Sequence, residues 1–501
     1  MSSTVSRTDQ QQPPEFKQIM GHPAPLWMLF MSEFWERFAF YGIRWALVLY
    51  VVAQFYDGSS AGQAAASATY GSYLALVYAA ALFGGYVADR VLGYQRSILV
   101  GAVFMACGLF MIAYPHPDVF KLGLATIIVG NGLFKPNISA MVGKLYGAAD
   151  PRRDSGFTIF YMGINIGGML APIATQVLAQ QVFNTGDTPA YKVVFIAAGI
   201  GMVISLVWFA IGRTMLQEIG KPAMDARGPA RILYVVGGAV CLIPGVYLLL
   251  ALGAMTLQYI LGALFIGLVI MVMIEGFRDG EVARDRSIAM LLIFVFNILF
   301  WMFFEQAGSS FTFLTDKIIN RNAFGFNIPI AWYQSVNSLA IILFAPVMAA
   351  IWVWLGKRNL NPTIPRKFGL GLIGNGLAFG FLVFALGSMV DGQGQIPYWP
   401  LILVYLIQGI GELCLSPIGL SMVTKLAPAR MVGLGMGGWF LSTGIGNNLS
   451  GIFAAHMSGT TGLSVQSALS GYTTGFYCLC SAGLALFLLA PVMQKLMHGV
   501  K

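Results

Sequence analysis

Apolar runs long enough to cross a bilayer recur along the whole of this 501-residue chain, and they confine it to one class of structure before any motif is read. About fourteen can be marked, near 25–53, 66–90, 95–114, 119–146, 154–182, 190–213, 229–251, 256–276, 287–315, 329–356, 367–389, 397–427, 431–458 and 469–497. A spanning helix needs about 20 predominantly apolar residues, and each run is near or above that length. Composition agrees: 57% of residues are hydrophobic and 10% charged, against about 25% charged in soluble domains. The reading is an all-α integral membrane protein, a polytopic helical bundle.

Basic residues orient the bundle. One set of alternate loops and both tails hold 22 lysines and arginines, among them Arg90, Arg96, Lys144, Arg152, Arg213, Arg227, Arg284, Arg366 and Arg430; the opposite loops hold only Lys121, Lys192, Lys317 and Arg321. Cytoplasmic loops carry such an excess, so fourteen spans with both termini cytoplasmic are expected. The net charge of +9 is thereby explained by topology, and nucleic-acid binding is excluded. Residues 1–24 are polar and lack the apolar core and cleavage site of a signal peptide, which makes them a cytoplasmic tail. The five cysteines, Cys107, Cys241, Cys414, Cys478 and Cys480, lie in apolar segments and suit neither a disulfide framework nor a zinc site.

The first run carries an anomaly. Glu33, Glu36, Arg37 and Arg44 interrupt it, and at 100° per residue they fall with Tyr41 on roughly one helix face. A lipid-facing charge at mid-bilayer costs at least ~2.5–3.5 kcal/mol, so the stripe faces a bundle interior or a watery cavity. Two ion pairs tying helices together would satisfy the same constraint. Charges at that depth more often line a path for ions or substrate. Further along, Lys135, Glu305 and Glu412 lie inside other runs, which gives four buried acids against three bases. These groups must meet each other, water or substrate.

Motifs narrow the class. After the second run comes Gly84-Gly85-Tyr86-Val87-Ala88-Asp89-Arg90-Val91-Leu92-Gly93, which resembles the signature loop of the major facilitator superfamily. That resemblance implies two six-helix bundles around a central site. Twelve of the fourteen runs would then be transporter helices, with 229–251 and 256–276 an inserted, peripheral, lipid-packed hairpin. The expected domains are a tail at 1–24, a first bundle at 25–213, linkers and hairpin at 214–286, and a second bundle at 287–497.

Glu33-x-x-Glu36-Arg37-Phe38 with Tyr41-Gly42, then Lys135-Pro136-Asn137 and Phe160-Tyr161-x-x-Ile164-Asn165, resemble the proton-dependent oligopeptide transporter family. Phe300-Trp301-x-x-x-Glu305-Gln306, Glu412-x-x-x-Ser416-Pro417-x-Gly419-Leu420 and Gly438-Trp439-Phe440 continue the match in order. The chain departs from the family in one place: Phe40-Tyr41 stands where two tyrosines are usual. The inserted hairpin is similar to that of the family's bacterial members.

The resemblance implies a proton-coupled symporter importing di- and tripeptides across the cytoplasmic (inner) membrane by alternating access. A same-fold transporter of a non-peptide anion or a peptide-like compound is the alternative. In this reading Glu33, Glu36, Arg37 and Glu305 handle the proton. Arg44 and Lys135 hold the peptide carboxylate and Glu412 its α-amine. Tyr41, Tyr78, Asn165, Trp301, Asn337, Trp439 and Ser442 line the substrate site. Arg44–Glu305 and Lys135–Glu412 are expected as gate salt bridges. Protons are the coupling ion, no metal or organic cofactor is implied, and the functional unit is a lipid-embedded monomer.

Other chemistry finds little support. Gly433-Leu434-Gly435-Met436-Gly437-Gly438 spells a dinucleotide fingerprint, but no strand precedes it and helix packing explains the glycines. No His-Glu-x-x-His occurs, and no enzyme is expected.

Overall fold

A computed structural model describes residues 14–147, 150–184, 186, 188–222, 228–428 and 431–500. Residues 1–13 of the expected tail, and Arg227, Arg430 and Lys501 of the basic set, lie outside the described residues.

The chain is helical almost throughout, as continuous apolar sequence demands when backbone groups must be satisfied within each segment. The first group of helices is α1 (Ala24–Phe55), α2 (Gly62–Val87), α3 (Tyr94–Ile112), α4 (Pro117–Lys144), α5 (Arg153–Val177) and α6 (Tyr191–Gly212). The hairpin follows as α7 (Pro229–Ala251) and α8 (Ala254–Arg278). The second group is α9 (Glu281–Phe304), α10 (Ser310–Lys317), α11 (Ile330–Lys357), α12 (Ile364–Ser388), α13 (Trp399–Leu413), α14 (Ser416–Leu426), α15 (Val432–Ser458) and α16 (Val465–Leu496). Helix starts follow local chemistry. Pro117 opens α4 behind the His116 side chain, which accepts from the Asp118 amide, and Ser464 with Ser467 forms a capping box on α16.

In the first group α1 packs on α5 and α6, α3 on α4 and α6, and α2 on α4. In the second, α9 packs on α15, α12 on α13 and α16, and α11 on α13. The two groups meet where α2 lies along α15 and α5 along α11. This is the major facilitator arrangement, two helical bundles facing each other. The seam is tight because small residues line it. A Cβ built on Gly71 of α2 would stand 2.7 Å from the Cα of Gly451 on α15, too close for any side chain. The Gly433–Gly438 run serves packing as well: Gly435 faces Val423 and Ala427, and Gly438 faces Phe294 and Leu268.

Twelve segments among the described residues are long and apolar enough to cross a membrane, where about fourteen were expected. The two that fall short are physically distinct. The run at 397–427 is broken at Cys414–Leu415 into α13 and α14. The 27-residue α15 has the length, but Gly433, Gly435, Gly437, Gly438, Gly444, Gly446 and Gly451 with Asn447 and Asn448 dilute its hydropathy. It is packed between α2, α8 and α9 and has little lipid to face.

A second break separates α9 from α10, where Glu305–Gly308 form a tight 3-10 turn. Gln306 fastens it, its Nε2 donating to the Met302 carbonyl and to the carbonyl and hydroxyl of Ser450, each at 3.1 Å. Irregular backbone survives at membrane depth only where protein or a watery cavity satisfies it. Glu305 and Glu412 stand at these two breaks.

Candidate substrate and proton site

The stripe on α1 forms a buried cluster. Glu33, Glu36 and Arg37 are at most 2% exposed and Arg44 is 8% exposed. The Arg37 guanidinium forks onto both carboxylate oxygens of Glu36 and lies 3.3 Å from Glu33 Oε1. Its Cζ also sits 4.8 Å from the centroid of the Phe40 ring, a cation–π contact that needs no phenolic oxygen. From α4, Asn131 Nδ2 donates to Glu36 Oε1 at 3.3 Å. Glu33 Oε2 is buried with no hydrogen-bond partner among the described residues. Two acids thus share one arginine and are engaged by it unequally.

Two turns along α1, Arg44 crosses from the first helix group to the second. Its Nη2 lies 2.6 Å from Glu305 Oε2, and both side chains are about one-tenth exposed. Arg44 Nε donates to the Tyr70 hydroxyl of α2 at 3.0 Å. The Tyr41 ring lies 6.0 Å from the Arg44 Cζ.

Lys135 on α4 and Glu412 on α13 are each half-buried, and among the described residues neither makes a salt bridge. The Lys135 ammonium stands 4.6 Å from the centroid of Tyr78, while Glu412 accepts from Asn337 Nδ2 at 3.4 Å. The expected Lys135–Glu412 pair is therefore not formed in this conformation, whereas Arg44 and Glu305 are in contact. The charges of Arg37, Glu36, Glu33 and Glu305 all act on Lys135. Two cationic groups, Arg44 and Lys135, thus stand on one bundle beside the Tyr41 and Tyr78 rings, and one carboxylate, Glu412, stands on the other.

The remaining expected lining residues divide. Tyr41, Tyr78, Trp301 and Asn337 are partly exposed. Asn165 is 4% exposed and gives its Nδ2 to the Tyr161 carbonyl of its own helix at 2.9 Å. Trp439 is buried between Phe294 and Phe368. Ser442 is fully buried and its hydroxyl is committed: it accepts from Asn297 Nδ2 at 2.9 Å and donates to the Trp439 carbonyl at 2.7 Å. In this conformation Ser442 has no hydroxyl to offer a ligand, and it acts by holding Asn297, whose Oδ1 accepts from Trp301 Nε1 at 3.0 Å.

Tyr70, Asn131 and Asn297 are the polar groups that motif reading passed over. A signal existed for Tyr70, since it precedes Tyr78 by eight residues and shares roughly its face of α2. The local mark of Asn297 is its place one turn before Trp301, which donates to it; its other partners, Ser442 and Thr443, lie about 145 residues away.

Residues 95–468 match the family described as the POT family. The chain is 35% identical over 513 residues to the peptide transporter YePEPT of Yersinia enterocolitica, covering 97% of this chain and 98% of that protein. It is 34% identical over 444 residues to dipeptide and tripeptide permease B of Salmonella typhimurium, covering 87% of each. Among solved structures, a mutant of the peptide transporter POT in complex with alafosfalin superposes with a TM-score of 0.82 at 34% identity, covering 96% of this chain and 97% of that one.

Proposed function

Since this chain belongs to the POT family of membrane transporters, we propose that it imports di- and tripeptides together with protons by alternating access. The membrane is the bacterial inner membrane, with both termini cytoplasmic. The charge bias of the loops supports that orientation. The functional unit is a monomer of two bundles, residues 25–213 and 287–497, with the linkers and hairpin of 214–286 between them.

The observation that carries the reading is the unequal pairing of the embedded charges. Arg44 and Glu305 meet at 2.6 Å across the two bundles, while among the described residues neither Lys135 nor Glu412 makes a salt bridge. Each of these four groups has an alternative partner in a peptide zwitterion or a proton. Arriving carboxylate competes with Glu305 for Arg44, and a proton on Glu305 removes its claim. Either event loosens the Arg44 side of the seam. Lys135 completes the carboxylate site and Glu412 takes the α-amine. When these two pair with each other, the opposite side closes. Glu33 and Glu36 with Arg37 relay the proton beside Lys135. Tyr41, Tyr78, Trp301 and Asn337 shape the wall, and Asn165, Trp439 and Ser442 hold it in place. Binding shifts populations between two arrangements because each ligand prefers one of them.

Glu412 separates peptides from simple anions, because a carboxylate facing the site has a use only if the cargo carries an ammonium. The test is a two-by-two competition assay, free or N-acetylated dialanine against parental or Glu412→Gln protein. A charge-assisted hydrogen bond is worth ~1.5–3 kcal/mol, so acetylation is expected to weaken competition about 10- to 150-fold in the parental protein. In Glu412→Gln free dialanine already binds poorly, and acetylation costs much less. Equal acetylation penalties in the two proteins would remove Glu412 from amine recognition.

A further inference from the structure

We infer that Tyr70 is a positioning residue for the Arg44 gate: its hydroxyl holds the guanidinium so that the edge facing Glu305 stays free to exchange partners. The inference rests on the proposed transport reading and extends it to a residue outside the family motifs read in the sequence.

Tyr70 is 4% exposed on α2, in the same bundle as Arg44. Its hydroxyl accepts from Arg44 Nε at 3.0 Å, while Nη2 of the same guanidinium reaches Glu305 at 2.6 Å. The guanidinium is planar, so fixing Nε fixes the direction in which both Nη groups point. Glu305 lies on the other bundle and departs when the bundles separate, whereas Tyr70 travels with Arg44. The Nε bond therefore survives the transition and keeps the Nη edge presented to whichever carboxylate arrives next.

A second observation shows that room has been made for this hydroxyl. Gly308 closes the turn that begins at Glu305. A Cβ built on Gly308 would collide first with the Tyr70 hydroxyl and then with its ring carbon Cζ. Gly308 has no positive φ that would require glycine. The absent side chain is explained by the phenol lodged against the turn. Tyr70 thus touches both members of the gate, Arg44 by a hydrogen bond and the Glu305 turn by contact.

The other groups acting on this pair are Tyr41 from α1, Tyr78 from α2, Lys135 from α4, and Tyr405 and Glu412 from α13. Of these, Lys135 and Glu412 are the charged side chains, so pH profiles are to be compared with both left unchanged.

The test uses the full-length protein in liposomes, with Tyr70→Phe as the main variant and Gly308→Ala, which displaces the hydroxyl without removing it, as the second. The first readout is competition by dialanine against dialanine amide, which lacks the carboxylate. Tyr70→Phe is expected to weaken competition by the acid about tenfold while leaving the amide within about twofold, as the loss of a hydrogen bond to a charged group implies. Gly308→Ala is expected to shift in the same direction. Tyr50→Phe, at a buried hydroxyl with no partner among the described residues, controls for the loss of a phenol and is expected to change neither. An equal loss for acid and amide would mean that Tyr70 serves packing alone and would overturn the inference, as would unchanged competition by both.

The second readout needs no peptide. Spin labels at exposed Gln54 on α1 and Lys317 on α10, in a cysteine-free background, report whether the Arg44–Glu305 side is shut. Tyr70→Phe is expected to broaden that distance distribution toward longer values and to flatten its change between pH 5 and pH 8. A distribution identical to the parental one at both pH values would refute positioning even if peptide transport itself proved to be the wrong reading. Failure of the parental protein to respond to dialanine would count against the transport proposal and leave this second readout standing.

Discussion

Single residues decide whether this protein can couple two cargoes. The α1 stripe was legible in the sequence because helix geometry converts the spacing of Glu33, Glu36, Arg37 and Arg44 into one face, and the cost of charge in lipid turns that face inward. What spacing could not show is how unevenly Arg37 is shared, with both oxygens of Glu36 bound and Glu33 Oε2 without a partner among the described residues. Nor could it show that Ser442 spends its hydroxyl on Asn297 and Trp439. Such details depend on rotamers that neighbouring helices impose. Glu36→Gln keeps the shape and removes the titratable group. It is expected to abolish gradient-driven accumulation while retaining exchange of peptide at equal pH. Lys135→Ala strips a cation from beside the acid cluster and from the proposed carboxylate site and is expected to depress exchange as well. Exchange and accumulation assays on the same vesicles check this, and acid-driven accumulation by Glu36→Gln at the parental level would remove Glu36 from the relay.

At the level of helices, runs of apolar residues revealed most elements and hid their interruptions. The run at 287–315 reads as one span, yet the chain turns tightly at Glu305–Gly308 because Gln306 is anchored to Ser450, 144 residues away. Long-range side-chain bonds of this kind leave no periodic trace. The inserted hairpin was expected to be peripheral and lipid-packed. Leu233, Tyr234, Leu264 and Ile266 are indeed exposed. It is also tied to the seam. Asn448 of α15 donates to the Ala254 carbonyl at 2.8 Å and to Gln258 Oε1 at 3.0 Å, and accepts from Ser72 of α2 at 3.0 Å. This node joins hairpin, first bundle and second bundle. Interhelical hydrogen bonds in membranes average about 0.6 kcal/mol, up to about 1.7. Asn448→Leu, which breaks all three, is expected to lower stability by about 2 kcal/mol, and Gln258→Leu by about 0.6 kcal/mol. Tyr234→Leu, on the lipid face, is expected to be neutral. Thermal unfolding in one detergent compares the three variants, and equal midpoints would show that the node contributes nothing.

For the whole molecule, the fold was legible because bilayer physics leaves so few choices, and the working conformation was not. Sequence offered two candidate salt bridges, Arg44–Glu305 and Lys135–Glu412. The structure holds the first closed and leaves the second apart. A sequence encodes every conformation of a transporter at once, and only coordinates select one. This asymmetry is what a rocking mechanism requires, since a molecule with both pairs locked would have no route for cargo. The claim it carries is that a proton gradient, by competing for the same carboxylates that hold the bundles together, moves peptide against its own gradient. The most direct measurement is uptake of radiolabelled dialanine into liposomes containing only the purified protein, with and without an inward proton gradient. Uptake is expected to overshoot its equilibrium level several-fold with the gradient, to reach equilibrium and no further without it, and to lose the overshoot when a protonophore is added. Equal final levels with and without the gradient would contradict proton coupling, and no dialanine entry under either condition would contradict peptide transport itself.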